Sequence, residues 1–287
     1  MPPDGTFLKT RIAPTPSGYL HAGNAVNFLL TAALAKKHSA KLLLRIDDLD
    51  RERYRQAYAT DVFQTLRFLN IQCDEGPQSL EEFERHWSQR HRLNLYAAAL
   101  EKLKETNAVF ACTCSRTQSN ACTCFQKNLP LDANGASWRL RTNENSVCVR
   151  TIDGNETIAH LPAEMKNFIV RKKDGLPAYQ LASVVDDLHF GIDFIVRGQD
   201  LWPSTLAQQF LARQLGEERF ASIRFYHHPL LMHESGEKLS KSAGDTSVKH
   251  WRNESQTSAA FFHYLGGLLH APFPVHNGDD VLKLFGL

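Results

Sequence analysis

Between residues 11 and 26 the chain reads RIAPTPSGYLHAGNAV, and no other stretch limits its fold so strongly. Pro14 and Pro16 bias the residues before them toward extended geometry and lack a backbone N–H, so strand-like RIAPT cannot run straight into a helix. Gly18 permits a turn that a side chain might forbid. AVNFLLTAALAKK then repeats its apolar positions at helical spacing and ends in two lysines, as a helix C-terminus favours. Strand, tight turn and helix in that order begin an α/β layer.

The alternation continues. KLLLRIDDLD is an apolar strand ending in acids, AYATDVFQTLRFLNI and HRLNLYAAALEKLKETN are amphipathic helices, and AVFACTC is strand-like. After residue 165 it resumes with NFIVRKK, PAYQLASVVDD and DFIVRG, the helical STLAQQFLARQLG and the strand SIRFYHHPLLM. A last helix is expected over roughly 247–264. The apolar parts of the first two strands, TRIAPT and KLLLRIDDLD, lack clean alternation, which predicts a parallel sheet covered by helices on both faces. With 287 residues, 43% of them hydrophobic, the chain can bury a sizeable core. Its 33 Lys and Arg against 31 Asp and Glu neither demand nor exclude a nucleic-acid partner. The basic clusters at 51–55, 90–93 and 170–173 read as solvated faces.

The N-terminus has no basic segment followed by an apolar core, and SAAFFHYLGGLLHAPFPV is interrupted by His263, His270 and two prolines. Neither a signal peptide nor a membrane span is expected. Four of the six cysteines crowd into CTCSRTQSNACTC, as Cys112, Cys114, Cys122 and Cys124. Two C-x-C pairs so close together point to a tetrahedral structural zinc in a reducing, cytoplasmic setting. The alternative is a set of reduced cysteines or a redox pair. Cys73 and Cys148 stand apart and read as ordinary buried residues. Polar turns and short strand candidates surround the cluster, so the region from 111 to 165 reads as an insertion with its own small fold.

The start of the first helix can bind phosphate, because its first amides have no partner within the helix and its dipole is positive there. His21 can hydrogen-bond phosphate oxygens, and Gly23 lets a ring or ribose approach the backbone; alternatively His21 and Asn24 only cap the helix. GEKLSKSAGD places Lys238 and Lys241 three apart in a flexible loop, suited to charge on a transferring phosphoryl group or else a solvated surface loop.

Together these stretches resemble the class I aminoacyl-tRNA synthetases. PTPSGYLHAGN is similar to their first signature and KLSKS to their second, Lys-Met-Ser-Lys-Ser. RIAPTPSG, RIDDLDRER, CDEGP, AYQLASVVDD, IVRGQDL and FYHHPLL resemble the glutamyl branch, the last three most of all its truncated glutamyl-queuosine tRNA(Asp) synthetase group. The resemblance implies an α/β, Rossmann-like catalytic domain with a small zinc-containing insertion and a short helical C-terminal segment. The corresponding division is a nucleotide-binding first half (1–110), the insertion (111–165), a second catalytic half (166–245) and a C-terminal segment (246–287) without an anticodon-binding domain. It also implies activation of glutamate with ATP and Mg2+, then transfer to queuosine in the anticodon of tRNA(Asp). The alternatives are charging of a tRNA 3′ end or activation of another amino acid.

The resemblance assigns His21, Gly23, Asn24, Lys238 and Lys241 to ATP, the histidine on phosphate and Lys241 on transition-state charge. Arg11 matches the arginine that grips the substrate side-chain carboxylate, Arg197 a second arginine of that pocket, and Tyr179 an aromatic hydroxyl on the substrate. Thr15 stands where serine is usual. Asp47 departs from the usual glutamate that takes the substrate ammonium, and lies one methylene shorter. A monomer is expected. Two other readings compete: a nucleotidyltransferase sharing only the phosphate-site histidine, and a non-catalytic zinc-containing RNA-binding protein. Arg11, Tyr179 and Arg197 argue against the first; His21, Lys238 and Lys241 argue against the second.

Overall fold

The computed structural model describes residues 7–115, 122–142, 146–230, 247–255 and 257–287. Its first elements are β1 (Lys9–Ile12), α1 (Ala22–Lys37), β2 (Lys41–Leu44), α2 (Gln56–Phe68), α3 (Leu80–Glu82) and α4 (Leu93–Glu105). Five strands follow: β3 (Val109–Cys112), β4 (Ser137–Leu140), β5 (Val147–Thr151), β6 (Glu156–Ala159) and β7 (Ile169–Arg171). Then come α5 (Tyr179–His189), β8 (Phe194–Gly198), α6 (Trp202–Gln214), α7 (Glu218–Ala221) and β9 (Arg224–His228). The last are α8 (Val248–Ser255), α9 (Ser258–Leu268) and α10 (Gly278–Leu284). None of the helices among the described residues is long and apolar enough to cross a membrane.

The chain forms two compact units, one from the described residues of 7–91, 193–200 and 226–287, the other from those of 92–192 and 201–225. In the first, β1 and β2 pair in parallel, from Lys9 opposite Lys41 to Ile12 opposite Leu44. Parallel neighbours need a crossover, and α1 supplies it. Ala25, Val26, Leu29, Leu30 and Leu34 of α1 are each at most 2% exposed, so this helix is buried on more than one side. The Asp193 carboxylate accepts from the backbone N–H of Leu8 and Lys9, at 2.7 and 3.0 Å, which ties the head of β8 to the head of β1. The C-terminal residues pack as well: α10 lies on α1, where a Cβ on Gly278 would come within 3.4 Å of the Leu29 carbonyl oxygen. Lys36 at the end of α1 meets Asp279 of α10 at 2.6 Å.

The second unit, which includes the insertion expected to have its own small fold, contains antiparallel pairs. β3, β4 and β7 form an antiparallel sheet, and β5 pairs antiparallel with β6. The physical reason is the short connections: β5 returns as β6 through a turn in which Gly154 has φ +88°, far too short for a crossover. Parallel pairing returns where Arg150 and Thr151 of β5 meet Arg224 and Phe225 of β9. Arg92 at the head of α4 places its fork on Asp186 of α5, Nε at 2.8 Å and Nη2 at 3.2 Å, and the Tyr96 hydroxyl donates to the same carboxylate at 2.8 Å. Asp186 and Tyr96 are fully buried. The helix expected over 247–264 is instead two helices, α8 and α9. Thr257 is extended at φ −125°, ψ 151°, and the chain changes direction there.

Candidate active site and cysteine cluster

His21 is the N-cap of α1, held in a reciprocal capping box. Its Nδ1 accepts from the Gly23 N–H at 3.1 Å, while the Asn24 side-chain oxygen accepts from the His21 N–H at 3.1 Å. With Nδ1 an acceptor, the imidazole proton resides on Nε2, where it can be donated to an anion. The amides of Gly23 and Asn24 both have partners within the cap, the latter in the His21 carbonyl at 2.9 Å. Gly23 makes room for its own neighbour: a Cβ there would lie 2.9 Å from His21 Cε1.

The extended segment after β2 runs beside the PTP turn, Arg45 N–H donating to the Ile12 carbonyl and Asp47 N–H to that of Pro14, both at 2.9 Å. Arg11 lies on β1 and is 6% exposed. Asp47 is held by Arg45, two residues before it on the same face of the extended chain, through Nε to Oδ1 at 2.7 Å and Nη2 to Oδ2 at 3.1 Å. Such a bidentate pair holds the carboxylate in one orientation. Asp48 turns the other way and accepts from Ser88, the Gln89 N–H and Arg51. Arg197 sits on β8, 3% exposed. Burial, and then the charges of Arg197 and His228, push the His227 imidazole down to about 3. His228 donates from Nδ1 to the Pro229 carbonyl at 2.8 Å and so accepts at Nε2 from Asn27 of α1 at 3.1 Å. Burial holds its pKa below the ordinary histidine value.

In the second unit the four cysteine sulfurs lie within 4.8 Å of one another. Cys112 ends β3 and Cys124 opens a short 3-10 turn; Cys112 and Cys122 are 3.5 Å apart, Cys114 and Cys124 3.6 Å. A tetrahedral zinc with bonds of about 2.3 Å sets its sulfurs about 3.8 Å apart, so the donor set fits with little movement. Burial raises the Cys112 thiol, but the Cys114 backbone, Cys122 and Arg139 outweigh it and bring it down to about 7. The hydrogen bond to Cys124 and then burial push Cys114 up to about 12. Phe110, Leu129 and the cysteines themselves make up the small core here. A four-thiolate metal would hold the fold and leave no open position for chemistry.

Residues 7–273 match the family of class I tRNA synthetases (E and Q), catalytic domain. The chain belongs to this family. As a class I synthetase catalytic domain it is 34% identical to a glutamate–tRNA ligase 2 of Acidiphilium cryptum, across 91% of this chain and 61% of that protein. It is 33% identical to a glutamyl-Q tRNA(Asp) synthetase of Symbiobacterium thermophilum, across 98% of this chain and 93% of that one. Its fold is similar to that of a glutamate–tRNA synthetase from Elizabethkingia anophelis, with a TM-score of 0.74 and 19% identity over 96% of this chain and 65% of that one. The chain spans about three fifths of the length of the glutamate–tRNA ligases it matches, 61 to 63% for the first two.

Within this synthetase domain, Arg11, His21, Gly23, Asn24, Asp47 and Arg197 belong to the first unit, with Thr15 exposed on its PTP turn. Tyr179 belongs to the second, at the start of α5 and 46% exposed. Lys238 and Lys241 lie outside the described residues. Arg45, His227 and His228 were not singled out from the sequence. Arg45 was legible there, because positions i and i+2 of an extended chain share a face.

Proposed function

We propose that the protein activates glutamate with ATP and attaches it to tRNA. The observation that carries the reading is the pair of buried guanidinium groups, Arg11 and Arg197, in the unit that also holds the His21 N-cap. Two fixed cations favour an amino acid with a second carboxylate, and the relatives' names support glutamate over aspartate. In this reading Asp47, aimed by Arg45, takes the substrate ammonium, and Thr15 and Tyr179 offer hydroxyls. The substrate carboxylate attacks the α-phosphorus of Mg2+-bound ATP and pyrophosphate leaves. No general base is needed, because the nucleophile is already an anion; the work is alignment and charge stabilisation by His21, Asn24, Lys238 and Lys241. An RNA hydroxyl then attacks the adenylate carbonyl and AMP departs. Cys112, Cys114, Cys122 and Cys124 would hold a zinc that maintains the fold around them.

For the acceptor, the glutamate–tRNA ligases among the relatives support a tRNA 3′ end. A second reading, queuosine in tRNA(Asp), is favoured by the match along 93% of the glutamyl-Q relative. Transfer of labelled glutamate to an unmodified tRNA transcript supports the first. Transfer confined to queuosine-containing tRNA(Asp) overturns it in favour of the second.

A further inference from the structure

A polar trough runs between α2 and α8 of the first unit. It consists of a cavity of about 510 Å³ and a second of about 400 Å³, which share Gln64, Arg252 and Asn253 in their walls. Among the described residues no carboxylate lines either cavity. Tyr19 closes one end and Arg67 lies at the other. The position of α8 is set by the chain just before it: Val248 N–H donates to the Leu20 carbonyl at 2.8 Å, and Ser247 bridges His21.

The charges in the trough are unequally compensated. Arg252 is a structural group, bound to the buried Asp61 at 3.0 Å and to Thr65 and Gln64. Lys249 meets only neutral partners among the described residues, the Tyr19 hydroxyl at 2.8 Å and the face of its ring at 4.1 Å. Arg67, exposed in the last turn of α2, has no carboxylate partner among them. Donors fill the space between. Gln64 spends its oxygen on Arg252, which leaves its NH2 group for a ligand, and the carboxamides of Gln56 and Asn253 have no partner among the described residues. Two cations without a carboxylate partner among the described residues, joined by amide donors and with no acid among the described wall residues, suit successive phosphates better than any neutral or cationic ligand.

We propose that this trough is a phosphate track for the RNA substrate, with Lys249 and Arg67 as its contacting cations. The proposal rests on the reading that the protein acts on RNA, and a free nucleotide is the other source of the same phosphate chemistry. The test is anisotropy titration of fluorescein-labelled bulk deacylated tRNA with Lys249→Gln, Arg67→Gln and the double variant, at several salt concentrations. Lys37→Gln, an exposed cation at the end of α1, is the comparison. Each trough substitution should weaken binding about threefold and flatten the slope of log affinity against log salt by about 0.7–0.9, and the double variant by about twice that. Glutamate-dependent ATP–pyrophosphate exchange, measured with saturating tRNA present, should match wild type. An unchanged affinity and slope in the double variant would overturn the track. A raised KM for ATP with unaltered tRNA binding would assign the trough to a nucleotide instead. Absence of glutamate-dependent exchange in the wild type would refute the activation reading alone, since the salt slope tests the track independently.

Discussion

Gly23→Ala separates the chemical role of the helix start from its structural one. The added Cβ would lie 2.9 Å from His21 Cε1 and 3.1 Å from Nδ1, so the imidazole must swing off its cap. Loss of that cap costs about 1 kcal/mol, and replacing glycine by alanine in a helix returns nearly the same, about 0.8–1 kcal/mol. Stability should therefore stay within about 0.5 kcal/mol of wild type, a midpoint shift of no more than about 2 °C. With His21 in its proposed role, function should not be spared, because the hydrogen bond its Nε2 would donate to a phosphate is lost. A bond to a charged group contributes about 2 kcal/mol, so glutamate-dependent ATP–pyrophosphate exchange should fall about 30-fold in kcat/KM for ATP. The assays are thermal unfolding by circular dichroism and exchange at varied ATP. Exchange within about threefold of wild type at an unchanged midpoint would refute the role given to His21.

Purified protein should contain one zinc, and Cys122→Ser should weaken zinc retention against a chelator at least about 100-fold, since one of four thiolates is lost from a site whose binding contributes about 10–16 kcal/mol; elemental analysis and chelator competition read both. Acid should destabilise the protein through His227, whose folded pKa of about 3 lies below the unfolded value. Its stabilisation is whole above about pH 6.5 and is lost as pH falls toward 3, so urea denaturation should show about 2 kcal/mol lost from this group between pH 7 and pH 5. His227→Gln should remove that part of the pH dependence. Asp186→Ala strands the buried Arg92 and should cost about 3–5 kcal/mol by urea denaturation, against about 2 kcal/mol for Tyr96→Phe.

The helix start was readable because its causes are local. Prolines and glycine stop β1, and the His-x-Gly-Asn order contains the capping box, since a histidine Nδ1 reaches the amide two residues on. The space a Cβ on Gly23 would take lies beside the His21 imidazole, a contact that depends on the rotamer of His21 and so was not legible in the sequence. The division of the last helix was hidden because the residues around Thr257 include neither Gly nor Pro, and the break is an extended threonine rather than a recognised stop signal. The mixed strand directions of the second unit were equally hidden. Apolar runs such as FIVR look alike in parallel and buried antiparallel strands, and only turn lengths distinguish them. The cysteine spacing, by contrast, foretold the clustered sulfurs directly. Cys112 ends β3 and Cys124 opens a 3-10 turn, and the four sulfurs of the two C-x-C pairs come within 4.8 Å of one another.

The central claim is that Arg11 and Arg197 select a dicarboxylic amino acid for adenylation. ATP–pyrophosphate exchange across a panel of glutamate, aspartate and glutamine, with wild type and Arg11→Met, tests it most directly. The account predicts exchange with glutamate, little with the other two, and a large rise in the glutamate KM on substitution of Arg11. Exchange driven equally by glutamine, or insensitive to Arg11, would contradict it.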